Sequence, residues 1–352
     1  MVAVTRPLAD SLADAADPQH WLAGLAPQYS PAEFALLEKA FHTARALYQG
    51  HRLAHTQEDM FSHAVAAAAI VADLNLLADA VMAALLFAAP DLREDSETWL
   101  SQAFNPVVAG LVLGGSRVRK IQELGSQHDA ATPEARSRQA EAMRQMLLAM
   151  VADIRVVLIK LAWRTQTMYH LSKVPDEAVR RRVAGETLDI FAPLANRLGV
   201  WQIKWELEDL AFRHLEPDTY KKIAKLLDER RLDRLSYIEQ VLATLRNELA
   251  GAGLHADVAG RPKHIYSIWK KMRKKNLDFS ELYDIRAVRI LVDSIKDCYT
   301  ALGLIHSLWQ PVPGEFDDYI NQPKANDYKS LHTAVIGPED KVVEVQIRTF
   351  EM

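Results

Sequence analysis

The hydrophobic pattern changes period once along this chain, after Gly251-Ala252-Gly253, and that change limits the fold more than any other feature. From about Pro31 to Leu249 nearly every segment repeats its apolar residues at helical spacing and is rich in helix formers. Beyond the glycines the pattern predicts strands at about 254–259, 284–292, 331–337 and 342–348, alternating with helices at about 264–275 and 295–309. That order implies a multidomain α and α+β protein, with an all-helical front and a small mixed sheet behind it. A length of 352 residues exceeds what one core usually serves, so two domains are expected.

Local signals fill in the helical front. Ser30-Pro31-Ala32-Glu33 has the form of a capping box with proline in the first turn. Phe61–Ala89, rich in Ala, Leu and Val, reads as one buried helical stretch that Pro90 ends. Met143–Ala162 reads as another helix, and Pro175-Asp176-Glu177 and Pro217-Asp218 as helix starts. Ser116–Arg138, polar and holding Gly125, Ser126 and Pro133, reads as an exposed loop. An apolar fraction of 49% and a charged fraction of 25% are ordinary for a soluble protein. The stretch Met1–Asp17 has no apolar core of the kind a signal peptide needs, and Ala80–Ala89 is too short to cross a bilayer. A lone cysteine, Cys298, excludes an internal disulfide and suits a reducing, cytoplasmic setting with no membrane role. The net charge of −4 argues against broad coating of nucleic acid.

The back of the chain concentrates chemistry. Residues 261–275 hold seven Lys and Arg and no Asp or Glu, so a cationic patch sits within an acidic chain and suits a small anionic ligand. Tyr283-Asp284-Ile285-Arg286-Ala287-Val288-Arg289-Ile290 reads as a strand with a carboxylate near its start. In Val342–Thr349, alternation places Glu344, Gln346 and Arg348 on one face and Val343, Val345 and Ile347 on the other. Two strand-borne carboxylates beside excess cations fit phosphoryl chemistry, with Mg²⁺ on the carboxylates and phosphate oxygens on the cations.

Four motifs carry a resemblance. Gly260-Arg-Pro-Lys-His-Ile-Tyr-Ser267, Tyr283-Asp284 with Ala287-Val288-Arg289, Tyr328-Lys-Ser-Leu-His-Thr333 and Glu344-Val-Gln-Ile-Arg-Thr349 occur in the order and spacing of the RelA/SpoT family synthetase domain. The resemblance implies a nucleotidyltransferase-like domain that moves the β,γ-pyrophosphate of ATP to the 3′-hydroxyl of GDP or GTP with Mg²⁺. It assigns Arg261 and Lys263 to ATP, with Ser267 and Lys271 on following turns of the same helix. It assigns Asp284 and Glu344 to the metal, and Glu344 also to drawing the proton from the attacking hydroxyl. Tyr328 is implied to stack on guanine and His332 to contact the guanine nucleotide, with Lys324, Asn326 and Gln346 as further contacts. Glu315-Phe316-Asp317-Asp318 resembles the acidic signature of monofunctional, RelA-type synthetases. Where the family has Asn-Gly-Tyr-Gln, this chain has Asn326-Asp327-Tyr328-Lys329; Asp tolerates the left-handed backbone that Gly adopts, so the turn is expected to survive.

The front resembles the family's HD-type hydrolase domain, which gathers a histidine, a His-Asp pair and a distant Asp around Mn²⁺. His63 matches the first ligand, but the pair reads Phe87-Ala88 and the distant position is Trp163, none of which can hold a hard cation. The expected organisation is an N-terminal segment 1–30, a degenerate hydrolase domain 31–199, linking helices 200–250 and a synthetase domain 251–352. In long relatives a further C-terminal half engages ribosomes, so ribosome dependence is expected only through such a half. Two other readings stay open at this point: a bifunctional synthetase and hydrolase, and a non-catalytic guanine-nucleotide-binding regulatory module.

Overall fold

A computed structural model describes residues 8–126, 133–149, 153–229, 231–260, 264–275, 287–324 and 327–352. The chain divides into two compact units between Leu215 and Glu216. The helices expected to link the domains are thereby shared: Trp201–Leu215 belongs to the first unit, and Pro217–Glu229 and Arg231–Gly251 belong to the second.

The first unit is helical, and its starts follow the capping signals. Ser30 accepts from the Glu33 backbone N–H while the Glu33 carboxylate accepts from the Ser30 N–H, opening the helix Pro31–Leu47. Asp176 accepts from Ala178 and Val179 to open Glu177–Glu186. The apolar stretch 61–89, however, is not one helix. It forms Met60–Asp73 and Ala78–Leu85, broken where Asn75 takes a φ of 53°. Asn is among the few side chains that adopt this left-handed conformation at low cost, so it ends a helix where composition alone would continue it. Met143–Ala162 is likewise divided, with Ile154–His170 beginning afresh behind the cap Asp153.

The loop expected at 116–138 is mostly helix. Pro106–Ser126 and Pro133–Ala149 occupy it, with 127–132 outside the described residues. Val108, Leu111, Val112 and Val118 are buried at helical spacing, and this stripe carries the first helix past the polar composition that suggested a loop. Met60–Asp73 is buried from His63 to Ala72 and packs against Ala78–Leu85 and Ile154–His170 at the centre of the core.

The second unit is built on a sheet of β1 (Ala256–Gly260), β2 (Ala287–Val292), β3 (Gln310–Asp318), β4 (Leu331–Ile336) and β5 (Val342–Thr349). Its strand order is β1-β2-β5-β4-β3, parallel between β2 and β5 and antiparallel elsewhere. One face carries Val258, Val288, Ile290, Leu331, Val335, Val343, Val345 and Ile347, covered by Arg231–Gly251 and Ile295–Leu308 to form the core. The strand β3 is absent from the sequence reading because Pro311, Pro313 and Gly314 disfavour a strand interior. Its edge position removes the objection: a proline without N–H is tolerated there, and the register shifts between Pro311 and Phe316. Among the described residues no helix is long and apolar enough to cross a membrane.

Candidate active site

The second face of the sheet is polar because its strands alternate. In β5 the buried Val343, Val345 and Ile347 leave Glu344, Gln346 and Arg348 on the opposite side. Register extends that side across four strands. His332 pairs with Gln346, Ala334 with Glu344, and Arg289 of β2 with Gln346. Asp317 of β3 pairs with His332. A carboxylate, an amide, an imidazole and a guanidinium thus share one surface, carried by central strands rather than by loops.

A tight turn adds Tyr328 to this surface. The Asp327 N–H donates to the Lys324 carbonyl at 2.9 Å, and the Lys324 N–H to the Tyr328 carbonyl at 3.2 Å. Asp327 has a φ of 57°, the left-handed conformation expected at the position where the family has Gly. Ser330 donates to the Ile347 carbonyl at 3.0 Å, which anchors the following residues to β5.

The side chains form a connected network. Gln346 Nε2 donates to the Tyr328 hydroxyl. That hydroxyl lies 2.8 Å from His332 Nε2, and His332 Nδ1 lies 4.0 Å from Glu344 Oε1. Tyr328 is only 8% exposed. Its ring lies 5.8 Å from the His332 ring and 6.1 Å from that of Tyr319. The Lys324 ammonium sits 4.0 Å from the Tyr319 ring centre and 5.2 Å from that of Tyr328, within cation–π range. Burial, and then a hydrogen bond to Asp317, push the Tyr319 hydroxyl above its ordinary pKa.

The structure therefore brings together Lys324, Tyr328, His332, Glu344 and Gln346. Ser267 and Lys271 lie one turn apart on the helix Ile265–Lys275, which packs on Pro217–Glu229 in the same unit. Arg261, Lys263, Asp284 and Asn326 lie outside the described residues. Glu344 supplies the hard oxygen donors that Mg²⁺ prefers. Among the described residues, no group of three or more His, Cys, Asp or Glu gathers for a metal. Sequence reasoning missed two contributors. Arg289 was detectable from the alternation of Ala287, Arg289 and Leu291 with buried Val288, Ile290 and Val292, once β2 is paired beside β5. Tyr319 has no such signal, since it follows β3 and reaches Tyr328 only through the fold.

The residues expected at a hydrolase site, His63, Phe87, Ala88 and Trp163, lie in the first unit among packed aromatic rings. His63 is fully buried, with Nδ1 2.7 Å from Glu58 Oε2. The Trp163 ring lies 4.6 Å from that of His63 and 5.2 Å from that of Phe87, and its Nε1–H donates to the Ala84 carbonyl at 3.1 Å. Ala88 offers only its backbone N–H, which donates to the Tyr48 hydroxyl. Phe87 rests against Gly115, where an added Cβ would fall 2.0 Å from the ring. Of His63, Phe87, Ala88 and Trp163, only His63 carries a side chain that could bind a metal ion, and Glu58 already engages it. Gln166 at 2.5 Å and His170 at 3.5 Å also approach Glu58. Burial pushes the Glu58 pKa up, but these partners, His63 first, outweigh it and hold the carboxyl below its ordinary range.

Comparison with known proteins matches residues 40–201 to the HD domain family and residues 260–352 to the region found in RelA / SpoT proteins. The GTP pyrophosphokinase of Escherichia coli (strain K12) is 46% identical over 338 residues, which is 96% of this chain and 44% of that protein. The GTP pyrophosphokinase of Myxococcus xanthus is 42% identical over 329 residues, 92% of this chain and 42% of that protein. A Synechocystis protein named probable guanosine-3′,5′-bis(diphosphate) 3′-pyrophosphohydrolase is 44% identical over 325 residues, 91% of this chain and 41% of that protein. The chain thus spans less than half the length of each of these relatives. Among solved structures, the small alarmone synthetase 1 from Bacillus subtilis bound to pppGpp is similar at a TM-score of 0.31 and 23% identity, covering 36% of this chain and 74% of that one.

Proposed function

This chain belongs to the RelA/SpoT family, and from that premise we propose that it is a GTP pyrophosphokinase whose HD-type domain no longer hydrolyses the product. The observation that carries the synthetase half is the shared sheet face of Glu344, His332, Gln346 and Tyr328, with Lys324 beside it. Glu344 takes the proton from the 3′-hydroxyl of GDP or GTP, and the freed oxygen attacks the β-phosphorus of ATP. The bond from that phosphorus to the α,β-bridging oxygen breaks, and AMP leaves with the electron pair. Arg261 and Lys263, with Ser267 and Lys271 on the following helix, hold the triphosphate. Tyr328 and His332 orient the guanine nucleotide so that the attacking oxygen meets phosphorus in line. Mg²⁺, when bound by Glu344 and Asp284, supplies charge neutralisation at the phosphates, and two carboxylates suffice because this ion keeps water and phosphate oxygens for its other positions.

Loss of hydrolysis is supported by the packing around His63. Phe87 and Trp163 pack beside it, Glu58 engages its Nδ1, and among the described residues no group of three or more His, Cys, Asp or Glu gathers there. The retained left-handed backbone at Asp327 speaks against a disabled guanine site. Incubating the full chain with ATP, GDP and Mg²⁺, followed by nucleotide separation, tests the synthetase reading, and adding ppGpp with Mn²⁺ tests the hydrolase half. Glu344→Gln should abolish product while nucleotide binding persists. Normal turnover in that variant would refute the role of Glu344, and Mn²⁺-dependent loss of ppGpp would restore the bifunctional reading.

A further inference from the structure

We propose that Tyr319 is a positioning residue for the acceptor nucleotide: with Tyr328 it holds the Lys324 ammonium where the phosphates of GDP or GTP bind. This rests on the synthetase reading above. The ammonium lies 4.0 Å from the Tyr319 ring centre and 5.2 Å from that of Tyr328, so two aromatic rings share one cation. A ring attracts an ammonium through its quadrupole and carries no net charge, so these contacts orient the cation without neutralising it. A carboxylate in the place of Tyr319 would orient it too, but would cancel the charge that an anionic ligand needs. Lys324 is exposed, and a flexible lysine at such a position loses rotamer freedom when it meets an anion. Two rings that restrict it beforehand lower that cost.

The fold fixes Tyr319 from several directions. Its N–H donates to the Ser330 carbonyl at 3.0 Å, which ties the end of β3 to the start of β4. The residues that follow turn on Asp318. Its Oδ1 accepts from the Ile320 N–H at 3.1 Å and the Asn321 N–H at 2.8 Å, and its Oδ2 accepts from the Tyr299 hydroxyl at 2.9 Å. The last carboxylate of the acidic stretch 315–318 therefore caps a turn. The Tyr319 hydroxyl donates to Asp317. Its ring meets His332 edge-on at 5.4 Å and 84° and lies 6.1 Å from the Tyr328 ring. Both Lys324 and Tyr328 belong to the turn closed by the Asp327 and Lys324 N–H groups, so backbone hydrogen bonds set the spacing of ring and cation.

The clamp acts on binding and leaves the chemical step alone. The acceptor's own phosphates carry the same charge before and during transfer, so a cation set against them lowers both states alike. Tyr319 contributes through Lys324 and needs no contact with the nucleotide.

Equilibrium dialysis of the full chain against GDP and against guanosine tests this. Tyr319→Leu, which removes the ring, should weaken GDP binding about threefold, the size of a cation–π contact at an exposed site. Guanosine, which has no phosphate, should bind that variant as it binds the wild type. Tyr319→Phe keeps the ring and should restore GDP binding. In turnover with ATP, GDP and Mg²⁺, the loss in Tyr319→Leu should stand in KM for GDP, with kcat within about twofold. Because the ring acts through Lys324, Tyr319→Leu should add no further loss in a Lys324→Met background. Without any nucleotide, proton NMR should find the Lys324 ε-methylene shifted upfield by the Tyr319 ring current, and Tyr319→Leu should abolish the shift. Equal losses for GDP and guanosine, a loss that adds to that of Lys324→Met, or an unshifted ε-methylene would each overturn the clamp. A chain that shows this binding pattern but makes no product sinks the synthetase reading and leaves the clamp standing; a wild-type chain that binds no GDP overturns both.

Discussion

Gly115→Ala tests the aromatic packing of the HD-type domain by setting two opposed effects against each other. In a helix interior, Gly→Ala stabilises by about 1 kcal/mol, because Ala loses less backbone freedom on folding. Here the new methyl would lie 2.0 Å from Phe87 Cε2 and 2.4 Å from Cζ, distances no packing tolerates. Phe87 is 2% exposed and has Trp163 against it, so it has little room to retreat. Overpacking of a rigid core costs up to about 3 kcal/mol, and the clash therefore exceeds the helix gain, leaving a net loss of about 2 kcal/mol. The decisive comparison is a double-mutant cycle. Phe87→Ala alone should cost about 3–5 kcal/mol. Within that background Gly115→Ala meets no ring, so its effect should reverse to a gain of about 1 kcal/mol. Urea unfolding followed by far-UV circular dichroism measures all four proteins. Gly115→Ala that is neutral or stabilising in the wild-type background would refute the contact, and an equal loss in both backgrounds would place its cause elsewhere.

Two further predictions concern backbone and charge. At Asp327 the left-handed conformation should make Asp327→Gly at least as stable as wild type, whereas Asp327→Ala should lose about 1 kcal/mol; equal stability of the Gly and Ala variants in thermal unfolding would count against it. The Glu58 carboxyl is held below its ordinary range, so its contribution is complete above that range and is lost as pH falls through the lowered value. The unfolding midpoint should therefore drop at acid pH in the wild type and change less steeply in Glu58→Gln, and identical acid limbs in the two proteins would exclude Glu58 as the cause.

Much of the site was legible in one dimension. The alternation in 342–349 places Glu344 and Gln346 opposite Val343, Val345 and Ile347, and the folded sheet keeps that arrangement. That Phe87, Ala88 and Trp163 cannot hold a metal ion could be read directly, because ligand chemistry belongs to the residue type. Less visible were the breaks. Asn75 ends a helix that its apolar neighbours would prolong, and β3 runs through two prolines that only an edge strand accommodates.

By itself the sequence determined the order of helical and mixed units, the polar face of β5 and the absence of metal-binding groups at Phe87, Ala88 and Trp163, since periodicity and side-chain chemistry are local properties. Only the tertiary structure decided that Tyr319 would meet His332, that Arg289 would share a face with Gln346, and that Phe87 and Trp163 would fill the space beside His63. Those pairings depend on strand register and helix packing between distant segments, and a linear pattern does not contain them.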